Sequence, residues 1–340
     1  MHDLLIHAEN IRALTWLLEE RKMAGTVDLV YIDPPFATNC AFTVSDKRAS
    51  TISAARDGAI AYTDFLKGKE FVEFIRQRLL LLRELLSPQG SLYLHTDYKI
   101  GHYVKVMMDD VFGIENFRND ITRVKCNPKN FQRTAYGNIK DMILFYSRGK
   151  SPIWHEPYEA YQEEDVVRLF PKRESNGRRY TTVPIHAPGE CSTMELFQGK
   201  EPPVGRHWRT KVSVLEAWDD QGLIEWSSSG NPRKKIYADE KVGKRVQDIW
   251  TDCKDPMYPA YPTEKNLSLL ERIVQTSSNP GSVVLDCFCG SGTTLLAATR
   301  QGRRWIGIDQ SELAIAAAKR KLGLDDEGLF PASNAEVLEL

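Results

Sequence analysis

The sequence predicts an α/β fold in which helices cover both faces of a mainly parallel sheet. Apolar strand-like runs alternate with amphipathic helical patterns at both ends of the chain, and these strands are almost continuously hydrophobic. A glycine-rich turn also joins a late strand to a helix. With 340 residues and 42% hydrophobic content, the chain can form one large domain with an insertion or two unequal domains.

Residues 1–150 contain the first half of this pattern. A short strand and an amphipathic helix lead through a turn at Gly25 to a buried strand over 27–32. Residues 37–63 lack sustained periodicity and predict a long loop, which inside a compact domain is usually functional or mobile. The elements that follow are a helix over 65–86, the strand "SLYLHTD", a helix over 102–111 and the strands "NDITRVK" and "KDMILFYSR".

Residues 151–245 differ in character and predict an inserted module. Proline, glycine and charged residues interrupt each candidate element, and basic clusters such as "PKRESNGRR", "GRHWRTK" and "NPRKK" appear. The α/β order resumes over 246–325 with a helix over 264–277, the strand "SVVLDCF", the helix "TTLLAATRQ", the strand "RWIGID" and the helix "SELAIAAAKRKL". Residues 326–340 form a C-terminal tail.

Composition excludes several classes of protein. The net charge of −1 gives no global positive field, so any nucleic-acid surface must be local. The six cysteines lack the paired spacing of a zinc site, and we predict no metal. Neither a secretion signal nor an apolar run long enough to span a membrane occurs, so we expect a cytoplasmic protein without a membrane partner.

The stretch "VVLDCFCGSGTT" predicts a ligand site at a strand-to-helix turn. Gly290 and Gly292 would let the backbone approach a ligand, and Asp309, at the end of the next strand, suits two ribose hydroxyls. Leu295 stands where a dinucleotide fingerprint needs its third glycine. Asp286 would repel a pyrophosphate but could face a cationic ligand such as S-adenosylmethionine. The alternative is that the glycines only close a turn and Asp309 caps a helix.

The stretch "YIDPPF" places a carboxylate at the end of a buried strand. Because each proline pushes the residue before it toward extended geometry, the Asp33 side chain and the Pro34 carbonyl form two acceptors on a stiff frame. The exocyclic NH2 of a nucleobase has two hydrogens to donate to them. Phe36 offers a face for stacking the base, worth about 1–3 kcal/mol.

These two motifs together resemble those of the DNA amino-methyltransferases. "DPPF" is similar to the catalytic motif of that family and "DCFCGSGTT" to its S-adenosylmethionine motif, and their order, separated by a basic region, resembles the β class. "IHAENIRAL", "KDMILFYSRG", "DIWTD" and "YPTEKNLSLLERIV" are further matches. The resemblance implies a Rossmann-like, circularly permuted methyltransferase fold with a target-recognition region at 151–245, between a catalytic half at 1–150 and a cofactor half at 246–325.

The resemblance also implies the roles of individual residues. The catalytic set at the target amine and ring is Asp33, Pro34, Pro35 and Phe36. The set around S-adenosylmethionine is Asp286, Phe288, Gly290, Gly292, Thr293, Asp309, Lys265, Thr263 and Glu9. For Glu9 the alternative is a helix N-terminal charge that complements the helix dipole. The basic clusters suggest phosphate contacts and base readout by Arg206, Arg209, Lys211, Arg233, Lys234 and Lys235, with Trp208 stacking or wedging between bases.

The expected reaction is direct methyl transfer to the N6 amine of a flipped adenine in double-stranded DNA. Adenine is favoured because the motif begins with an aspartate, Asp33, and so resembles the motif of the adenine-specific members. Cytosine N4 is the alternative target. Two alternatives come from other classes of protein. One is a non-catalytic DNA-binding subunit, which the intact "DPPF" disfavours, and the other is a nicotinamide dehydrogenase, which the missing third glycine disfavours. A homodimer and a separate restriction endonuclease are the other partners considered.

Overall fold

A computed structural model describes residues 2–34, 68–127, 134–189, 193–257, 259, 261, 264–324 and 335–340, and the backbone of three strands at 41–45, 48–49 and 59–63. The chain divides into two compact units, which are Met1–Pro157 together with Gln247–Leu340, and Tyr158–Val246. Among the described residues, no helix has the length and apolar character needed to cross a membrane.

The helices and strands have the following bounds in chain order. The first 157 residues contain β1 (Leu4–His7), α1 (Asn10–Glu19), β2 (Val27–Ile32), β3 (Ala41–Ser45), β4 (Arg48–Ala49), β5 (Ala59–Thr63), α2 (Gly68–Leu85), β6 (Leu86–Thr96), α3 (Gly101–Phe112), β7 (Phe117–Val124) and β8 (Lys140–Ser147). The second unit contains β9 (Tyr158–Glu159), α4 (Glu163–Leu169), β10 (Lys172–Arg173), β11 (Arg179–Pro184), β12 (His186–Pro188), β13 (Arg206–Trp208), α5 (Val212–Asp220), β14 (Ile224–Trp226), β15 (Pro232–Tyr237) and β16 (Lys244–Arg245). The remaining elements are β17 (Ile249–Trp250), α6 (Leu267–Ser277), β18 (Val283–Asp286), α7 (Thr293–Arg300), β19 (Arg304–Asp309), α8 (Glu312–Leu322) and β20 (Glu336–Glu339).

A nine-stranded sheet in the order β17-β7-β8-β6-β2-β18-β19-β1-β20 forms the centre of the first unit. Its neighbouring strands are parallel except where β8 pairs with β7 and with β6. Because central strands are covered on both faces, they are apolar along their length, and every residue of β8 after Lys140 is buried. The mainly parallel α/β sheet that the sequence predicts is therefore confirmed.

The chain order of the strands brings two distant segments together. β2 lies directly beside β18, although β3 to β8 and the whole second unit separate them in sequence. β19 is the next strand and is parallel to β18. The carboxyl ends of all three strands therefore meet at one edge of the sheet, which positions the candidate site.

Two segments differ from the sequence prediction. The long loop expected at 37–63 is wrong in part, because β3 pairs antiparallel with both β4 and β5 in a small sheet. Strands of two to five residues are too short for a periodic pattern to reveal. In the C-terminal segment, β20 pairs parallel with β1 and forms the last strand of the main sheet.

The second unit has its own small antiparallel sheets and core. β10, β11, β15 and β14 form a four-stranded sheet, β12 pairs with β13, and β16 pairs with β9. A buried cluster lies between these elements and α5 and comprises Ile185, Phe197, Trp208, Val212, Leu215 and Ile224.

Candidate active site

Three acidic residues end three adjacent parallel strands. Asp33 follows β2, while Asp286 and Asp309 are the last residues of β18 and β19. Open α/β sheets bind ligands at this edge. Burial, together with the negative charges of Asp33 and Asp309, raises the pKa of Asp286 to about 7, so the acids are close enough to influence one another.

The two carboxylate oxygens of Asp33 have different surroundings. Oδ2 lies 2.7 Å from Lys265 Nζ in an ion pair whose side chains are 15% and 10% exposed. Oδ1 is buried and has no hydrogen-bond partner among the described residues. A buried acceptor without a partner costs about 1–3 kcal/mol, so this oxygen is a candidate for binding a ligand donor. Pro34, which follows, is buried.

Lys265 therefore lies at Asp33, although the resemblance implies a contact with the cofactor. Burial disfavours its ammonium, but the carboxylates of Asp33, Asp255 and Asp141 outweigh this effect and raise the pKa of Lys265. Lys265 thus carries a positive charge at neutral pH. The cofactor contact stays a prediction.

A buried polar cluster that the sequence did not reveal lies beside Asp33. His95 on β6 is fully buried, and its Nδ1 lies 2.9 Å from the Tyr31 hydroxyl and 4.0 Å from Asp33 Oδ1. His95 Nε2 lies 3.2 Å from Asp141 Oδ2. The residues "HTD" at the end of an otherwise apolar strand were the available signal for His95.

Cations surround Asp141. Its Oδ1 accepts a hydrogen bond from Lys125 Nζ at 2.7 Å, and Arg123 Nη1 lies 3.7 Å from Oδ2. Although burial opposes ionisation, the hydrogen bond with His95 and the charges of Lys265 and Lys125 hold the pKa of Asp141 well below its usual range. Asp141 is therefore ionised at neutral pH.

The glycine-rich turn after β18 has the geometry that a close ligand requires. Gly290 and Gly292 have φ of +50° and +76°, in the left-handed region that glycine tolerates. The Asp309 carboxylate accepts the Gly290 N–H at 2.9 Å through Oδ2 and the Ser311 N–H at 2.9 Å through Oδ1. Each oxygen keeps a second lone pair that could accept from a hydroxyl.

Asp286 is directed into the protein. It is 2% exposed, and its carboxylate accepts hydrogen bonds from the Thr294 hydroxyl at 2.6 Å and the Phe288 N–H at 3.0 Å. These bonds fasten the turn to the first residues of α7. A direct contact between Asp286 and the cationic ligand stays a prediction.

Thr293, the first residue of α7, is bound by a lysine that the sequence did not indicate. Lys321 Nζ donates to Thr293 Oγ1 at 2.9 Å and to Ser291 Oγ at 2.7 Å, and it also pairs with Glu264. Lys321 is on α8, and this cluster fastens α8 to the glycine turn.

Glu9 has the helix-capping position considered in the sequence. It is the N-cap of α1 and accepts the Arg12 N–H at 3.1 Å. Its Oε1 lies 2.5 Å from Arg78 Nη2, and the Arg78 guanidinium lies 3.3 Å from the centroid of the Phe74 ring. The Phe288 ring centroid is 6.2 Å from that of Phe74. Cofactor contacts of Glu9 and Phe288 stay predictions.

The predicted residues Pro35, Phe36 and Thr263 lie outside the described residues.

Most basic residues predicted to bind DNA have partners within the second unit. Arg209 Nε donates to the His186 carbonyl at 3.1 Å, and Arg206 Nη1 lies 3.2 Å from His186 Nδ1. Lys211 is exposed. The other three contact residues of the second unit: Arg233 bonds to Thr182, Lys234 Nζ lies 3.5 Å from the Trp218 ring centroid, and Lys235 pairs with Glu174 at 2.9 Å.

Trp208 does not have the exposed position expected of a stacking or wedging residue, and that prediction is wrong. The side chain is 1% exposed in the core of the second unit, and its indole N–H donates to the Glu195 carbonyl at 2.9 Å. The flanking arginines suggested an exposed surface, but on β13 neighbouring side chains point to opposite faces, and Trp208 faces inward.

Comparison with known proteins gives a consistent result. A family model described as DNA methylase, of the N6/N4 type, matches residues 27–320. The Type II methyltransferase M.EcaI of Enterobacter cloacae is 38% identical over 326 residues, which cover 94% of this chain and 69% of that protein. The probable type III restriction-modification enzyme HindVI Mod subunit of Haemophilus influenzae is 24% identical, and this chain spans about half of it, 52%.

Solved structures share the fold. TTHA0409 of Thermus thermophilus, complexed with S-adenosyl-L-methionine, matches with a TM-score of 0.50 and 17% identity over 100% of this chain and 98% of the other. The PvuII DNA methyltransferase, described as cytosine-N4-specific, matches with a TM-score of 0.50 and 14% identity over 93% and 89%. These likenesses confirm the predicted methyltransferase fold.

Proposed function

Since this chain belongs to the N6/N4 DNA methylase family, we propose that it transfers the methyl group of S-adenosylmethionine to the N6 amine of an adenine in DNA. It is an S-adenosylmethionine-dependent DNA methyltransferase, and the choice of adenine is the proposal. The observation that carries the target amine is the buried, unpartnered Oδ1 of Asp33 at the sheet edge shared with the glycine turn. The choice of adenine rests on the aspartate at the first position of "DPPF", as in the adenine-specific members that the motif resembles.

Asp33 would hold the reacting amine. Its Oδ1 accepts one amine hydrogen and the Pro34 carbonyl accepts the other, which orients the nitrogen lone pair away from both acceptors. Lys265 occupies Oδ2, so the carboxylate presents a single oxygen to the substrate. Phe36 would stack on the base, and because a paired base cannot enter this site, the adenine must be flipped out of the duplex.

The glycine turn fits the cofactor. The left-handed glycines remove side chains from the approach to α7, and Asp309 retains lone pairs for ribose hydroxyls. When bound, S-adenosylmethionine supplies a methyl group on a positively charged sulfur. Three carboxyl groups at one edge favour such a cation. The residues proposed around the cofactor are Gly290, Gly292, Thr293, Asp309, Asp286, Phe288, Thr263, Glu9 and Lys265.

We assign the chain to the β class because the Asp33 strand precedes the second unit and the glycine turn follows it. The second unit would recognise the target sequence, with Arg206, Arg209, Lys211, Arg233, Lys234 and Lys235 as candidate phosphate or base contacts. We expect the enzyme to act in the cytoplasm, where bacterial DNA lies. A homodimer and a separate restriction endonuclease are further proposed partners.

Nucleoside mass spectrometry of DNA from cells that express the protein tests this function. We expect N6-methyladenine with the wild type and none above background with Asp33→Ala, which removes both carboxylate oxygens. The purified Asp33→Ala variant should still bind S-adenosylmethionine, which shows that it is folded. N4-methylcytosine without N6-methyladenine would overturn the choice of adenine.

A further inference from the structure

The surroundings of His95 determine which of its ring nitrogens carries a proton. Nε2 faces the Asp141 carboxylate at 3.2 Å, and Nδ1 faces the Tyr31 hydroxyl at 2.9 Å. The three side chains come from β6, β8 and β2 and are at most 3% exposed. In this burial a mismatched donor or acceptor would be costly, so the hydrogens must be arranged consistently.

Nε2 must carry a hydrogen. Because Asp141 is ionised, its carboxylate accepts hydrogen bonds and cannot donate one. A bare Nε2 would place a lone pair against a negatively charged oxygen. The Nε2–H group therefore donates to Asp141.

Nδ1 is the acceptor at neutral pH. Burial and the nearby charge of Lys265 lower the pKa of His95, although Asp141 and Asp33 oppose this, so the ring is neutral. With Nε2 protonated, Nδ1 carries no hydrogen. Burial raises the pKa of Tyr31 well above its usual value, so the phenol keeps its hydrogen and donates it to Nδ1.

This proton arrangement affects Asp33. His95 Nδ1 lies 4.0 Å from Asp33 Oδ1, close enough for a small movement to form a hydrogen bond if Nδ1 carried a hydrogen. We propose that Tyr31 and Asp141 are positioning residues that keep His95 in the neutral Nε2–H form. In this form His95 leaves Asp33 Oδ1 free to accept the substrate amine. This inference rests on the proposed function of Asp33.

Protonation of His95 should therefore inhibit the reaction. Among the described residues, the titratable and charged groups facing the ring are Tyr31 and Asp33 from the β2 segment, Asp141 from β8 and Lys265 from the segment before α6. An imidazolium would gain an Nδ1–H directed at Tyr31 and Asp33. It would then compete with the substrate for Oδ1.

The test compares Tyr31→Phe with Tyr93→Phe. Tyr31 and Tyr93 are paired in register on neighbouring strands and are both 2% exposed, but the Tyr93 hydroxyl bonds to Ser277 at 2.7 Å instead of His95. Loss of one buried hydrogen bond predicts a fall in kcat of about 2- to 10-fold in Tyr31→Phe at about pH 6.5, with KM for DNA and cofactor unchanged. The acid limb of its pH profile should move to higher pH, and Tyr93→Phe should retain the wild-type profile.

Nitrogen-15 NMR of histidine-labelled protein without ligands gives a second readout. We expect the Nε2–H form of His95 in the wild type and a measurable population of the Nδ1–H or doubly protonated form in Tyr31→Phe. Asp141→Asn should populate Nδ1–H further and lower kcat more.

The inference is overturned if wild-type His95 is Nδ1–H or doubly protonated at about pH 7.5, or if Tyr31→Phe and Tyr93→Phe have the same kcat and pH profile. These results do not depend on the modified base. Retained methylation in Asp33→Ala would instead contradict the proposed function.

Discussion

Lys265 Nζ lies 2.7 Å from Asp33 Oδ2, which joins the segment before α6 to the end of β2. The ion pair leaves one oxygen of Asp33 available and keeps a positive charge at the site. Because both side chains are largely buried, neither partner can be replaced by water without cost. The same contact connects residues that are far apart in sequence, so it could not be read from either motif alone.

Lys265→Met should lower both activity and stability. Removing one partner of a buried ion pair typically costs about 3–5 kcal/mol because the other charge is left uncompensated. We expect kcat to fall at least about 100-fold and the free energy of unfolding to fall measurably, while Lys265→Arg restores part of the activity. Methyl-transfer kinetics and urea denaturation measure these effects.

Lys105→Met provides the matched control. Lys105 pairs with Asp109 at 2.6 Å on α3, but its side chain is 28% exposed, and neither residue is part of the candidate site. A pair of this kind is worth about 1 kcal/mol or less, so kcat should not change. Equal kinetic effects of the two lysine substitutions would contradict a specific role for Lys265.

The double variant Arg206→Ala and Arg209→Ala should bind DNA more weakly, and its binding constant should depend less on salt concentration. If each arginine contacts one phosphate, the slope of log K against log salt should become less negative by about 0.9 per residue. Arg178→Ala is the control, because Arg178 already pairs with Asp239 at 2.8 Å and Glu240 at 2.9 Å. An unchanged slope in the double variant would exclude these two arginines from the DNA contact.

The sequence was sufficient to predict the main elements and the edge of the sheet where the acids lie. The apolar runs 27–32 and 304–309 coincide with β2 and β19, because buried parallel strands are continuously hydrophobic. The glycines of the strand-to-helix turn were also predicted, because a tight turn often needs the positive φ that glycine tolerates. Gly290 and Gly292 both have positive φ.

The buried cluster could not be predicted because it depends on antiparallel pairing. β8 runs against β6, so Met142 lies opposite Thr96, and the start of one strand lies at the end of the other. Local periodicity does not indicate strand direction, and so Asp141 gave no sign of a contact with His95. The prediction for Trp208 was wrong for a related reason, since flanking charges do not indicate which face of a short strand is buried.

Trp208→Ala should destabilise the second unit without a direct effect on DNA contacts. Replacing a buried aromatic residue with alanine costs about 3–5 kcal/mol. Trp226→Ala should cost less, because Trp226 is 37% exposed, although its ring stacks on Phe197 with centroids 5.9 Å apart. Chemical denaturation monitors both. At temperatures where Trp208→Ala remains folded, the salt slope of DNA binding should match the wild type, and a reduced slope would show that Trp208 contributes to the DNA surface.

The affinity for S-adenosylmethionine should decrease as the pH falls below about 7. Burial raises the pKa of Asp286 to about 7, so the group is half protonated there in the free protein. A nearby cation favours the ionised form, and ligand binding therefore releases a proton. At lower pH this release opposes binding, by up to about tenfold in Kd per pH unit, whereas at higher pH the proton is already lost and Kd levels off.

Calorimetry with S-adenosylmethionine and S-adenosylhomocysteine at about pH 6 and 8 separates this effect from other titrations. S-adenosylhomocysteine lacks the positive charge on sulfur, so its Kd should change less between the two values. Asp286→Asn should reduce the difference between the two ligands, since an amide does not titrate. If both ligands had the same pH dependence in the wild type, the sulfonium charge would not be coupled to Asp286, and the attraction of the acidic sheet edge for the cation would have to come from Asp33 and Asp309.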